Sequence, residues 1–412
     1  LWIEKQEPSA SFTNEFVKLF FLSNIKNNVR YVMKLNELNQ TCMFYKGIMI
    51  HPLTNVICEY LWVDGHGYLR SKTKVIPHRE MRSTLKGNYM PGELIPLKPT
   101  LFPAWNYDGS STWQANSEKN TEVILQPCAV YKDPLRSIPD TQCILILCDT
   151  YDTNKKPLES NKRFIANDIF SKKSEEEPWY GLEQEYFIEF EVDANDRKWD
   201  SGDGLHYCGF VPFANKEREI VGAHLSACIQ AGLQISGVNA EVSNKQWEFQ
   251  IGPSLGIHAA DQLIVARFLL ERIAETHGAC IIYDPKPADG INGGGCHVNF
   301  STKRMRAENG LTVIYECMNK LEKMHTIHLL HYGNDNDRRL TGTNETSCFN
   351  SFSMGIGTRN TSIRIPTQTY EDKCGYFEDR RPASNIDPYS ATSILFKTCC
   401  LDTGITSKIL HP

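Results

Sequence analysis

The stretch YGLEQEYFIEFE, residues 180–191, decides how this chain is read. Side chains alternate along a strand, so Leu182, Tyr186, Ile188 and Phe190 share one face and Glu183 and Glu185 the other. Alone, this is the pattern of an edge strand with one solvated face. A second stretch changes the weighing: GVNAEVSNKQWEFQIGP, residues 237–253. Ser243 and Gln246 can flank a two-residue turn at Asn244-Lys245, which sets Glu241 directly opposite Glu248. Trp247, Phe249 and Ile251 then form the buried face of the second strand. Like charges opposed across strands are unfavourable, and a cation between them removes the conflict. Carboxylates and water are the ligands Mg²⁺ and Mn²⁺ prefer. A turn placed elsewhere lets the two glutamates diverge.

Residues 292–300 read NGGGCHVNF. The glycines permit close approach of a ligand, or simply a tight turn. The strand that follows puts His297 and Asn299 on one face and Val298 and Phe300 on the other. A single histidine is more often structural than a ligand; His297 stands out through its company. Further on lie Arg338, Arg339, Arg359, Arg364, Arg380 and Arg381. Surface ion pairs are their plain reading. Arg364, however, sits in SIRIP between Ile363 and Ile365, the pattern of a partly buried strand. A buried guanidinium calls for an anionic partner, and its fork matches carboxylate and phosphate. Converging acids, one histidine and several arginines make a metal–phosphate site.

Outward from these stretches, 412 residues are enough for two or three domains. With 41% hydrophobic and 23% charged residues the chain can build real cores. A formal net charge of −5 argues against a dedicated nucleic-acid binder. No run approaches the roughly 20 apolar residues of a membrane span. The 14 cysteines are scattered without a CxxC pair, which fits a reduced, cytoplasmic type of protein. Residues 1–47 read as an N-terminal extension of unknown role with room for one helix. Apolar residues 57–63 and 69–76 flank a turn at Asp64-Gly65-His66-Gly67 and predict a hairpin. Prolines at 91, 96, 99 and 103 mark 88–104 as an irregular connection. Helices are expected over 219–231, 259–277 and 311–332, stopped by Gly232, Gly278 and Gly333. A fourth opens at Asp387-Pro388. Strands are expected over 180–191, 233–242, 246–251, 280–283, 295–300 and 361–366. The fold class is α+β.

Nine ordered segments then carry a resemblance. They are WNYDGSST (105–112), KDPLR (132–136), PWYGLEQEY (178–186), GVNAEV (237–242), QWEFQIGP (246–253), DPKP (284–287), NGGGCHVNFST (292–302), RRLTGTNET (338–346) and GYFEDRRPASNIDP (375–388). Together they resemble glutamine synthetase of the eukaryotic type, from about Glu59 to Leu401. The resemblance implies a small β-grasp-like domain over 48–150 and a larger catalytic domain over 151–412, of antiparallel strands flanked by helices. It implies ATP-dependent ligation of ammonia to L-glutamate through a γ-glutamyl phosphate, giving L-glutamine, ADP and phosphate.

Carried over by position, Glu185, Glu241 and Glu248 resemble the ligands of one Mg²⁺. Glu183, His297 and Glu378 resemble those of a second, nearer the ATP phosphates; Mn²⁺ could replace either. Arg339 and Arg380 resemble residues that hold the glutamate or the transferred phosphoryl group. Arg359 and Arg364 resemble residues facing the phosphates of ATP. Asn292 and Gly293 would lie against the amino acid, and Trp179, Ser301 and Tyr376 near the nucleotide. Asp108 resembles the acceptor of the ammonium proton, supplied by a neighbouring subunit. Glu345 resembles the flap residue that closes over the intermediate. A homo-oligomer follows, a decamer of two pentamer rings in eukaryotic members. The implied location is the cytoplasm, or an organelle if residues 1–47 are a leader remnant.

Two positions depart from the family pattern. Asn344 stands where His is usual, and Gly294 where Ala is common. A non-catalytic structural relative would lose metal or arginine positions, which are retained here. A ligase for another amine would lose Asp108, which is present. No Walker A pattern supports a kinase of the P-loop kind.

Overall fold

The structure is a computed structural model. It describes residues 53–83, 93–115, 120–190, 199, 205–210 and 215–401, and the backbone of four short strands between residues 21 and 50. Those strands, β1 (Phe21–Ser23), β2 (Val29–Val32), β3 (Met43–Tyr45) and β4 (Ile48–Ile50), form an antiparallel sheet in chain order. Strands therefore stand where one helix was expected. The short β-branched and aromatic runs between Asn-rich breaks suit strands better than a helical stripe. The rest of the extension lies outside the described residues, as do residues 88–92 of the proline-rich connection; from 93 to 104 that connection is irregular but for one short 3-10 turn at Pro99–Leu101.

Two compact units divide the chain. The first joins Leu1–Val56, Ile76–Pro96 and Ile138–Gln142. Within it, Gln142 closes a buried amide pair with Ile95, accepting from its N–H at 2.7 Å and donating to its carbonyl at 2.9 Å. The helix α1 (His78–Ser83) also lies here.

The second unit holds Ile57–Val75, Leu97–Ser137 and Cys143–Pro412. Most of the smaller sheet falls in it: β5 (Asn55–Val63), β6 (Leu69–Pro77), β7 (Trp105–Asp108), β8 (Glu122–Lys132) and β9 (Thr141–Tyr151), ordered β6-β5-β9-β8-β7. The expected hairpin is β5–β6. Asp64 holds its turn, accepting from the N–H groups of His66 and Tyr68 at 2.9 and 3.0 Å.

The larger sheet takes β10 (Trp179–Phe190), β11 (Ile235–Ala240), β12 (Gln246–Leu255), β13 (Ala279–Ile282), β14 (Cys296–Ser301), β15 (Met354–Ile356), β16 (Ile363–Ile365) and β17 (Phe377–Asp379). The order is β11-β12-β10-β14-β17-β16-β15, and β13 also pairs β10. β10 is thus central. The edge-strand reading of 180–191 fails because both edges of that strand are paired. Helices cover the apolar face: α2 (Lys162–Ser171), α3 (Asn215–Ala231), α4 (Ile257–Thr276) and, later in the chain, α9 (Pro388–Cys400). α4 is buried from Ala259 to Leu270, and within that stretch Asp261 pairs with Arg163 and Arg267 with Gln184, as polar groups enclosed by sheet and neighbours must be paired. Tyr180, Leu182, Tyr186, Ile188, Trp247, Phe249 and Ile251 meet it in one core.

Between these run α5 (Lys303–Arg306), α6 (Gly310–Lys323), α7 (His325–Leu329) and α8 (Thr367–Asp372). The single helix expected over 311–332 is broken at Met324 into α6 and α7. His325 bonds the Phe349 carbonyl at 2.9 Å, and His328 bonds Tyr332 and Thr398. These buried partners fix the second segment in place. Gly232, Gly278 and Gly333 all take positive φ, 87°, 66° and 94°, as the stops require. Asp387 caps α9, accepting from the Ser390 N–H at 2.8 Å. The helix α2, capped by Asn161, had no counterpart among the expected elements. The α+β class holds.

Candidate active site

The register of the large sheet gathers the polar side chains. Glu185 pairs with Glu248, Glu183 with His297, Asn299 with Glu378, and Glu378 with Arg364. All lie on the face away from the helix-covered core. The turn at Asn244-Lys245 forms where expected, with the Gln246 N–H donating to the Ser243 carbonyl at 3.2 Å. Lys245 takes the left-handed φ of 62° that this turn needs. Below it the ladder slips by two residues. Glu248 faces Asn239 rather than Glu241, and Ala240 faces Trp247. A shift of two keeps every side chain on its face, so Glu241 still points into the cluster. The opposed like charges are real, but the pair is Glu185 and Glu248.

Each carboxylate has a defined hold. Glu185 accepts from the Gly295 N–H at 3.0 Å and from Gln246 Nε2 at 2.9 Å. Glu183 accepts from Asn299 Nδ2 at 2.7 Å. Glu378 takes Arg380 at 2.6 Å and Arg364 at 3.4 Å. His297 Nδ1 lies 3.3 Å from Glu183 and 3.5 Å from Glu378. Its Nε2 is 3.0 Å from Arg339 Nη2. Gly295 is required by this crowding: a Cβ there would stand 2.5 Å from Arg339 Nη2 and 2.8 Å from His297 Nε2.

Burial and then mutual repulsion set the electrostatics. Glu185 is pushed up to about 8 by burial and by Glu241, and Glu248 to about 9 by burial and its three glutamate neighbours. Burial also raises Glu183 and Glu241. Burial lowers His297, with Arg380 adding to it, so the imidazole is neutral with a lone pair to offer. Carboxylates that resist ionising together, beside a neutral imidazole, fit a hard divalent cation with oxygen and nitrogen ligands. One ligand atom each from Glu183, His297 and Glu378 falls within 4.8 Å of the others.

Around this cluster lie the other expected residues. Arg339 is buried and donates to the carbonyls of Arg380 and Arg381 at 3.0 and 3.2 Å. Glu345 is gripped by Arg359 Nη1, 2.9 Å from each carboxylate oxygen, and its carbonyl accepts from Arg380 at 3.5 Å. Asn344 and Glu345 both take left-handed φ, 49° and 63°, a conformation that asparagine tolerates better than most residues. Asn292 donates its N–H to Ser243 Oγ at 2.9 Å, and the Gly293 carbonyl accepts from Gln246 at 3.1 Å. Trp179 faces Ser301 at the far end of β10. Ser301 Oγ donates to the Gly375 carbonyl at 2.5 Å, next to Tyr376. Trp179 and Tyr376 remain exposed, at 43% and 42%.

Asp108 stands apart. It ends β7 in the smaller sheet, and its exposed carboxylate accepts from the Ser110 N–H and hydroxyl at 2.9 and 2.6 Å. Those bonds hold it below the usual carboxylate range. Two of the six arginines also leave the cluster. Arg338 pairs Asp284 at 2.5 Å on the outside, and Arg381 is fully buried against Asp379 at 2.6 Å. Gln246, Asn299 and Arg306 were not singled out as site residues. Strand alternation already put Asn299 beside His297 and Gln246 beside Glu248. Nothing in the sequence marks Arg306, whose guanidinium lies 3.9 Å from the Trp179 ring centre.

Known proteins are similar to this chain over most of its length. The family model for the catalytic domain of glutamine synthetase matches residues 164–328. The chain is 49% identical over 348 residues to a putative glutamine synthetase of Acanthamoeba polyphaga mimivirus, covering 84% of this chain and 94% of that protein. It is 45% identical over 358 residues to a cytosolic isozyme of glutamine synthetase from Pinus sylvestris, with the same coverage of 84% and 94%. The chain belongs to the glutamine synthetase family. Against the Neurospora crassa glutamine synthetase the identity is 44% over 352 residues, 84% of this chain and 91% of the other. As a glutamine synthetase, with plant and fungal relatives, the protein is a ligase of nitrogen metabolism that joins ammonia to glutamate. The family uses ATP and a divalent metal, and the acid–histidine cluster has the chemistry to hold one.

Proposed function

We propose that the enzyme makes L-glutamine by ATP-dependent amidation of L-glutamate through a γ-glutamyl phosphate. The observation that carries this reading is the directly opposed Glu185–Glu248 pair beside neutral His297. Glu185, Glu241 and Glu248 would hold one divalent cation, and Glu183, His297 and Glu378 a second. Bound Mg²⁺ or Mn²⁺ would neutralise charge on the phosphates.

The chain's own groups do the rest. A carboxylate is a poor electrophile, so its γ-oxygen first attacks the terminal phosphorus of ATP and ADP leaves. Ammonia then attacks the acyl carbon, and phosphate departs with that oxygen. Arg339 and Arg380 hold the glutamate and the transferred phosphoryl group, and Arg359 and Arg364 face the ATP phosphates. Asn292 and Gly293 line the amino acid; Trp179, Ser301 and Tyr376 line the nucleotide. Asp108, from a neighbouring subunit, accepts the ammonium proton. Glu345 closes over the acyl phosphate and keeps water out; its grip by Arg359 is the contact that closure exchanges. The reading includes a β-grasp-like domain over 48–150, a catalytic domain over 151–412, a decamer of two pentamer rings and a cytoplasmic site of action.

The test is phosphate release from ATP with Mg²⁺ and glutamate, with and without ammonium. Ammonium-dependent release with glutamine as product is expected. A folded, oligomeric sample that makes no glutamine contradicts the reading.

A further inference from the structure

On the site face, β11 and β12 present two amides to which the proposed reaction gives no role. Asn239 stands opposite Glu248, and Gly237 opposite Gln250. Gln250 Nε2 donates to Asn239 Oδ1 at 2.8 Å, and also to Glu248 Oε1. Asn239 Nδ2 donates to Glu241 Oε1 at 2.8 Å. The chain runs Glu248, Gln250, Asn239, Glu241. Each end of the chain is an amide NH₂ facing a carboxylate oxygen, the polarity that two carboxylates ionised around a cation require, since they only accept. Glu241 Oε2 takes the Val242 N–H at 3.2 Å, so this carboxylate is held through both oxygens. Gly237 supplies the room, since a Cβ there would overlap Gln250 Oε1.

We infer that Asn239 and Gln250 are positioning residues that hold Glu241 and Glu248 at the spacing and rotation a divalent cation requires. The inference rests on the reading of these glutamates as cation ligands. Ionised around a cation, the two carboxylates carry like charge and tend to swing apart. The amide chain ties one oxygen of each to a common rigid ladder, so the pair is set before a cation arrives. The two-residue slip of the hairpin is what makes this possible: it brings Asn239, not Glu241, across from Glu248. Partners behind metal ligands typically govern affinity by about tenfold to hundredfold.

The experiment is Mn²⁺ binding to the full chain without nucleotide, followed by electron paramagnetic resonance of the free ion. It compares the unaltered protein with Glu248→Gln, Asn239→Ala, Gln250→Ala and the double amide variant. Glu248→Gln is expected to remove one class of Mn²⁺ site. Each amide variant is expected to weaken that class by about tenfold to hundredfold, with the number of sites unchanged. The double variant is expected to weaken it little further, because one break already undoes the chain. Turnover of the amide variants recovers at high Mg²⁺. If an amide variant does not fold, Gly237→Ala, which intrudes on Gln250, is expected to give the same loss of affinity. Affinity within about twofold of the unaltered protein in both amide variants, while Glu248→Gln loses its site, overturns this inference alone. Unchanged Mn²⁺ binding in Glu248→Gln overturns the cation reading beneath it as well.

Discussion

Glu248 is where burial, charge and chemistry meet most sharply. It faces Glu185 across the sheet and is buried. Glu248→Ala should abolish glutamine formation and weaken Mn²⁺ binding while leaving circular dichroism unchanged; full activity in this variant would sink the ligand assignment. The same carboxylates make a pH prediction. Burial and repulsion raise Glu241 to about 7 and Glu248 to about 9, from an ordinary value of 4.5. Between those values the folded protein keeps protons that the unfolded chain releases. Stability of cation-free protein therefore falls as pH rises through this window. The thermal midpoint in chelator should drop between about pH 5 and pH 9, and Mg²⁺ should flatten the drop. A flat profile in chelator would count against the buried cluster. Residue identity was legible for these acids, because alternation alone put Glu183 with Glu185. The sorting of the arginines was not. Arg380 and Arg381 are adjacent, yet one reaches Glu378 in the site and the other is buried with Asp379 behind it. Only tertiary packing separates them.

At the scale of elements, the β11–β12 hairpin shows what a sequence does and does not specify. The turn residues Asn244 and Lys245 announce themselves by type. The slip beneath them does not, since both registers keep Trp247, Phe249 and Ile251 in the core. The centrality of β10 was also hidden. Its polar face looks solvated in one dimension and becomes the floor of a site only when β12, β14 and β17 are laid beside it. Caps and stops, by contrast, were readable, as Asp387 and the three glycines show, because their chemistry is local. The entry to β14 carries a prediction of its own. Gly295 passes under Arg339 and His297. Gly295→Ala should lower kcat/KM for glutamate by about tenfold or more through displacement of both side chains, with the fold retained. Unchanged kinetics would mean that the guanidinium and imidazole can yield without consequence.

For the whole molecule, the question is how Asp108 reaches the chemistry. Its carboxylate is exposed and is held by its near neighbours, the Ser110 N–H and hydroxyl and the Thr121 side chain. The proposed assembly resolves this by having one subunit complete the site of the next. Asp108→Ala and Glu248→Ala should each be inactive in glutamine synthesis. Unfolded together and reassembled at equal amounts, they should regain roughly a quarter of normal activity, because that fraction of sites draws both intact halves. No recovery from well-formed mixed oligomers would place Asp108 outside the shared site.

The acyl phosphate is the centre of the account, and heavy oxygen follows it directly. Glutamate labelled in its γ-carboxylate is turned over with ATP, Mg²⁺ and ammonium, and the released phosphate is analysed by mass. The account predicts that each phosphate carries one labelled oxygen and that its release keeps pace with glutamine. Unlabelled phosphate accompanying glutamine formation would contradict it, because ammonia would then have reacted with a carboxylate whose oxygen was never phosphorylated.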